Sequence, residues 1–279
     1  MKFLAYGPGK KMVAFVLWLS WPVIYAGKRL SGAPVLRWII NPFFIRPHNE
    51  VTSIPISKNI AFPESVVLPR SILERLVSEI EDRFILDECI CRAHNRVAGP
   101  ERGVGCMALG PAIRRMHPSH GRTATADEAV AHIRRAAERG LIANVAHVWI
   151  DPAAFWLNFK QLMFICFCDD ANCIYRTHMR SRGPNLDGAY RRLPGISVTV
   201  TAGDCDGCGL CADRCFVAAI RVDGGAAAIG GDCKGCGRCA EICPRGAIVV
   251  KVDGEEELMA QIKERIRAVA RIPGIDYSG

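Results

Sequence analysis

The sequence predicts an α+β chain of four parts, and three observations carry that prediction: fourteen cysteines among 279 residues, a 28-residue internal repeat near the C-terminus, and an apolar run near the N-terminus. The parts are an apolar N-terminal arm (1–50), a mainly helical Cys-rich domain (51–192), a pseudo-twofold unit of short strands (193–252) and an amphipathic helix (253–279). Half of the residues are apolar, enough to bury a core and to exclude disorder as the main state. Lys and Arg number 36 against 28 Asp and Glu, a net charge of +8 spread in Arg-rich stretches rather than one basic block. Such a spread favours acidic partners or an anionic membrane and gives little support to nucleic-acid binding.

The repeat sets Asp204–Val222 over Asp232–Val250 and matches the Asp, four Cys, two Gly, two Ala, the Ile and the Val. Two related halves imply a pseudo-twofold unit. Each half carries the spacing C-x2-C-x2-C-x3-C: Cys205, Cys208, Cys211, Cys215, then Cys233, Cys236, Cys239, Cys243. Three thiolates three residues apart in a Gly-containing loop can converge on one inorganic core, while a fourth beyond a short turn points away. Gly207, Gly209, Gly235 and Gly237 let backbone approach the sulfurs and supply donors to them. Ala219–Val222 and Ala247–Val250 read as covering strands. Cysteines so close together pair poorly as disulfides, and C-x2-C pairs suit zinc, but the x3-C-P ending and the repeat favour iron–sulfur chemistry.

Residues 196–252 resemble the bacterial dicluster ferredoxin domain. The resemblance implies two [4Fe-4S] clusters, and in such ferredoxins the fourth Cys of each run serves the other cluster. It therefore assigns Cys205, Cys208, Cys211 and Cys243 to one cluster and Cys233, Cys236, Cys239 and Cys215 to its neighbour. Phe216 stands where the family usually has Pro, whereas Pro244 is present; the difference affects a turn and not a ligand.

The remaining six cysteines form two triplets: Cys89, Cys91 and Cys106, then Cys166, Cys168 and Cys173. Between them, Thr125 and Glu128 predict a capping box, Val130, Ile133 and Ala137 an apolar face, and Gly140 a helix stop. An earlier helix is predicted from Ser71 with Glu74 through Leu76, Val77, Ile80 and Phe84, ending just before Cys89. Residues 64–192 resemble a group of ferredoxin-type proteins in which a Cys-x-Cys-Arg segment, here Cys89–Arg92, a helix ending in Gly140-Leu141 and a second Cys-rich segment precede a dicluster ferredoxin domain. Members carry more cysteine in that second segment, where this chain has Asp169 and Asp170. Six thiolates admit one four-Cys cluster, two three-Cys clusters with an open iron, buried reduced cysteines, or a redox-active dithiol. No His among His94, His117, His120, His147 and His178 sits in a ligand motif.

Near the N-terminus, Lys10-Lys11 precede an apolar run from Met12 to Ala26 that holds Trp18, Trp21 and Pro22, with Lys28-Arg29 after it. Fifteen residues are short for a span, and Val35–Ile45 is interrupted by Arg37, Asn41 and Pro42. Aromatics between basic residues predict an interfacial anchor at the cytoplasmic face; a signal peptide and a packed hydrophobic arm are the competing readings. Ile54-Pro55 and Phe62-Pro63 predict an extended surface linker. Asp253 is expected to cap a final helix with Leu258, Ile262, Ile266 and Val269 on one face. With no nucleotide or serine-hydrolase motif in the chain, no nucleotide cofactor is expected, and electron transfer between a redox donor and a redox acceptor remains. A reductase with an open-site upstream cluster is the alternative, and a redox sensor the weaker one.

Overall fold

The computed structural model describes residues 5–40, 49–56, 69–98 and 100–275. Its helices are α1 (Lys10–Leu30), α2 (Arg37–Ile40), α3 (Pro69–Glu79), α4 (Ile90–His94), α5 (Ala126–Glu138), α6 (Ile150–Phe155), α7 (Pro184–Ala189), α8 (Leu210–Arg214), α9 (Arg238–Ile242) and α10 (Glu255–Arg267). Its strands are β1 (Asn49–Ile54), β2 (Arg83–Leu86), β3 (Met107–Leu109), β4 (Gly121–Thr123), β5 (Ile142–Val148), β6 (Met163–Cys168), β7 (Ile196–Val200), β8 (Ile220–Asp223), β9 (Ala226–Ile229) and β10 (Ile248–Val252). Helices and strands together make the α+β architecture that the sequence predicts.

The Cys-rich region is not mainly helical. Its frame is a six-stranded antiparallel sheet in the order β1-β5-β6-β3-β2-β4. The strands were illegible as strands because the central ones are buried on both faces: β6 and nearly all of β5 are buried throughout, which erases the apolar–polar alternation. Helix α3 ends at Glu79, well before Cys89, because the Arg83 guanidinium takes the carbonyls of Val77 and Ile80 and the chain then enters β2. Phe84 is thus a strand residue. Ser71 lies within the first turn of α3, which opens on Pro69, a residue suited to that position.

Other expectations fare better. Thr125 and Glu128 exchange both hydrogen bonds of a capping box on α5, and Gly140 is left-handed at φ +64° after it. Helix α10 buries Leu258, Ile262 and Ile266, although Gly254 occupies the cap position and Val269 lies past the helix end. The linker around Ile54 is no surface strand: β1 pairs with β5 and is buried along its length. Phe62-Pro63 and the Asn41–Ile45 end of the Val35–Ile45 patch lie outside the described residues.

The sheet separates two cores by side-chain alternation. Met107, Leu109, Ile165 and Phe167 face α3, α5 and α10, while Ala108, Phe164, Cys166 and Cys168 face the N-terminal helix. Helix α1 packs through Val13, Leu17, Trp21, Ile24 and Lys28. No helix among the described residues is long and apolar enough to cross a membrane.

In the C-terminal unit, β7 pairs with β10 and β8 with β9. Each pair takes one strand from each repeat half, so neither half can form its sheet alone. The short helices repeat in detail: Gly209 and Gly237 precede them at φ +78° and +75°, and Cys215 and Cys243 follow them at ψ 112° and 113°.

On α5, buried His132 accepts from Arg135 through Nδ1 and donates Nε2–H to the Gly105 carbonyl at 2.8 Å, tethering the segment that leads to Cys106. Burial lowers its pKa to about 4. A depressed His favours the fold above its unfolded pKa, and that contribution is lost as pH falls toward the folded value. We expect this group to withdraw roughly 2 kcal/mol of stability between pH 7 and pH 5, so His132→Gln should flatten the pH dependence of denaturant unfolding relative to the wild type. Parallel slopes would contradict the assignment.

Candidate iron–sulfur sites

Of the eight cysteines of the repeat, Cys205, Cys208, Cys233 and Cys236 lie on the loops that lead into α8 and α9, Cys211 and Cys239 lie within those helices, and Cys215 and Cys243 follow them; the two helices pack on each other. Backbone amides aim at their sulfurs: Ala219 N–H donates to Cys215 Sγ at 3.2 Å, Ala227 N–H to Cys205 Sγ and Gly235 N–H to Cys233 Sγ, both at 3.4 Å. Such donors stabilise sulfur carrying negative charge. Cys205 and Cys208 lie within electrostatic reach of Cys211. Cys215, from the first run, lies instead beside Cys233 and Cys239 of the second. Burial pushes the thiols of Cys211, Cys233 and Cys239 up, most of all at Cys239. A neutral thiol resists that burial less than a thiolate does, so keeping thiolates there requires a positive group such as metal.

The donor set therefore fits iron–sulfur cores on chemical grounds. Four thiols per set, amides directed at sulfur and left-handed glycines at the loop corners are what a [4Fe-4S] site needs. Gly207 illustrates the tolerance: it sits at φ +69°, and a Cβ there would lie 2.6 Å from the Gly225 carbonyl oxygen.

The six upstream cysteines, far apart in sequence, meet in one place. Cys166 and Cys168 alternate onto the same face of β6. Ladder register carries Cys106, just before β3, opposite Cys166, since Met107 pairs with Ile165. Cys89 caps α4, Cys91 lies within it, and Cys173 returns on the loop after β6. Thiol–thiol hydrogen bonds run Cys166–Cys106–Cys89–Cys91–Cys173–Cys168, the last link 2.8 Å between sulfurs. All six line one cavity, whose other walls include Leu17, Trp21, Phe155, Phe164 and Tyr175. Hydrogen bonds from Cys106 and Cys91 hold the Cys89 thiol below its usual range, whereas bonding to Cys166 and Cys89 pushes Cys106 up.

Sequence reasoning missed the cations around this cavity. Arg92, fully buried, donates to the carbonyls of Phe167 and Val104 and pairs with Asp169. Arg176, also buried, pairs with Asp170 at 2.6 Å, lies 4.1 Å over the Phe216 ring and reaches Cys236 Sγ at 3.8 Å. Burial works against its charge, but Cys236 and Asp170 outweigh it and hold the guanidinium above its ordinary pKa. Asp170 also binds Arg238 at 2.7 Å. Asp169 and Asp170, in the segment where the resemblance expects more cysteine, thus serve these arginines. Lys234 and Arg238 are committed to internal pairs with Asp187 and with Asp170 and Glu241. None of the described His lines the cavity; His120 bonds the Pro8 carbonyl, His147 that of Leu162, and His94 stacks on Trp21. Among the described residues, no three His, Cys, Asp or Glu side chains are grouped as ligands of a single metal ion.

The family model for the 4Fe-4S binding domain matches residues 230–249, the stretch that holds Cys233, Cys236, Cys239 and Cys243. Neither a curated protein nor a solved structure matches the chain. The chain carries a ferredoxin-type 4Fe-4S binding segment, and iron–sulfur electron transfer is the role that segment supports.

Gly207→Ala should cost about 1–2 kcal/mol of strain and displace the Gly225 contact, lowering both denaturant stability and bound iron. Unchanged iron content would show that the loop does not need this conformation.

Proposed function

We propose that the protein relays single electrons through two [4Fe-4S] clusters between a redox donor and a redox acceptor, while resting on the cytoplasmic face of a membrane. Cys205, Cys208, Cys211 and Cys243 hold one cluster; Cys233, Cys236, Cys239 and Cys215 hold the other. The observation that carries this reading is the exchange between the repeat halves: strands swap partners, and Cys215 of the first run lies near Cys233 and Cys239 of the second. When bound, such clusters supply one-electron chemistry over a wide range of potentials.

The chain's own residues set how that chemistry is reached. Cys208 is exposed, which leaves its loop open to a soluble partner. Cys215, Cys233 and Cys236 instead pack against the core around α1 and the upstream cysteines. Arg176 places a buried positive charge beside Cys236 and so favours added negative charge there. Fourteen free cysteines fit a reducing compartment.

Membrane contact is supported by the face of α1 turned away from the protein. Met12, Phe15, Trp18, Leu19 and Val23 are exposed at helical spacing, with Trp38 and Ile39 exposed on α2. Exposed Lys11 lies at one end and Arg29 at the other. Aromatic and aliphatic side chains between basic residues suit a helix lying in the interface of an anionic bilayer.

Two experiments test the proposal. In EPR-monitored potentiometric titration of the anaerobically purified protein, Arg176→Met should lower the potential of one [4Fe-4S] centre, with Arg176→Lys restoring much of the shift. Absence of reversible [4Fe-4S] signals would overturn the function itself. In sedimentation with phosphatidylglycerol vesicles, Phe15→Ser with Trp18→Ser should weaken binding about tenfold or more; equal binding, or none by the wild type, would remove the membrane from the account.

A further inference from the structure

The six upstream cysteines take no part in the function just described, yet they form the densest concentration of buried chemistry in the molecule. We propose that they hold an iron–sulfur cluster of their own, a third centre seated directly beside the Cys215, Cys233 and Cys236 side of the C-terminal unit. The proposal rests on the reading of that unit as an iron–sulfur carrier, and its test separates the two.

Four independent observations converge on it. First, six thiols from four separate segments form one unbroken hydrogen-bonded chain, and none of them is in a disulfide. Packing alone has no need of such an arrangement, since a sheet face is filled as well by Val or Ala. Second, the surroundings are positive. Among the described residues, Lys28, 2% exposed, has only the carbonyls of Ile174 and Thr177 as partners, at 2.5 and 2.6 Å, with no carboxylate, and it lies beside Cys173 and Cys91. Burial disfavours its charged form where no opposite charge sits beside it. Thiolate ligands supply the missing negative charge, because coordination deprotonates them.

Third, buried donors near the sulfurs are unused. Trp21 Nε1, on a side chain that lines the cavity, and Nε of Arg92, which also lines it, have no hydrogen-bond partner among the described residues. Sulfur bound in a cluster accepts such bonds. Fourth, the cavity adjoins the C-terminal set. Cys106, Cys166, Cys168 and Cys173 share one apolar core with Phe216, Val217 and Ala219, and Cys215, Cys233 and Cys236 pack on that core. Arg176 spans the boundary, paired to Asp170 on one side and reaching Cys236 on the other. Tyr190 lies near Phe216, with ring centroids 6.4 Å apart.

The test is iron, acid-labile sulfide and zinc per chain, measured on anaerobically purified full-length protein and on a variant combining Cys91→Ala, Cys106→Ala and Cys168→Ala, which leaves too few thiols for a four-Cys cluster. The expected result is about twelve irons and as many sulfides in the wild type, falling to about eight in the variant with the C-terminal EPR signals retained. About eight irons in both proteins would overturn the third centre and leave the two-cluster reading standing. About eight irons with zinc that the variant loses would overturn it in favour of zinc. About four irons in the wild type, lost in the variant but kept in Cys208→Ala with Cys236→Ala, would uphold the upstream centre and overturn the C-terminal reading. Should the upstream variant not fold, the wild-type count decides alone, since twelve and eight are well separated.

Discussion

Buried sulfur in need of compensating charge is the constraint on which the rest of this structure depends. Thiols are readily buried, but thiolates are not, and the chain surrounds both of its cysteine groups with directed amides and buried cations. Arg92, Arg176 and Lys28 are expensive residues to remove from water. Asp169 and Asp170 pair with the two arginines, and nothing acidic among the described residues pairs with Lys28. The sheet, the N-terminal helix and the C-terminal unit are all arranged to close around these groups.

That constraint also accounts for the architecture. An antiparallel sheet aligns cysteines from distant segments by register, as with Cys106 beside Cys166, and by alternation, as with Cys166 and Cys168. One face is given over to sulfur and covered by α1; the other is an ordinary core with α3, α5 and α10. Helix α1 thereby has two different sides. Leu17 and Trp21 wall the cavity, while Phe15, Trp18 and Val23 remain outside. Covering the cavity and meeting a lipid surface are compatible tasks for one helix.

What was legible in the sequence was whatever depends on local spacing. The two C-x2-C-x2-C-x3-C runs, the capping box at Thr125 and the covering strands at Ile220 and Ile248 all follow from contacts within a few residues. The upstream sheet was illegible because β5 and β6 lack polar alternation, and a short apolar run does not distinguish strand from helix. Phe84 was read into a helix for the same reason, and Arg83, whose side chain ends that helix, gives no local sign of its task. The meeting of six cysteines depends on register between strands some sixty residues apart, which no motif encodes. The role of Arg92 could have been suspected from its place beside Cys91; that of Arg176 could not.

The central claim is that the chain stores and passes electrons on sulfur-ligated iron. Its most direct test is anaerobic coulometric titration of the full-length protein, counting electrons taken up and returned per chain. The account predicts reversible uptake of about two one-electron equivalents from the C-terminal unit, and about three if the upstream site is filled. No reversible uptake by iron-loaded protein would contradict it.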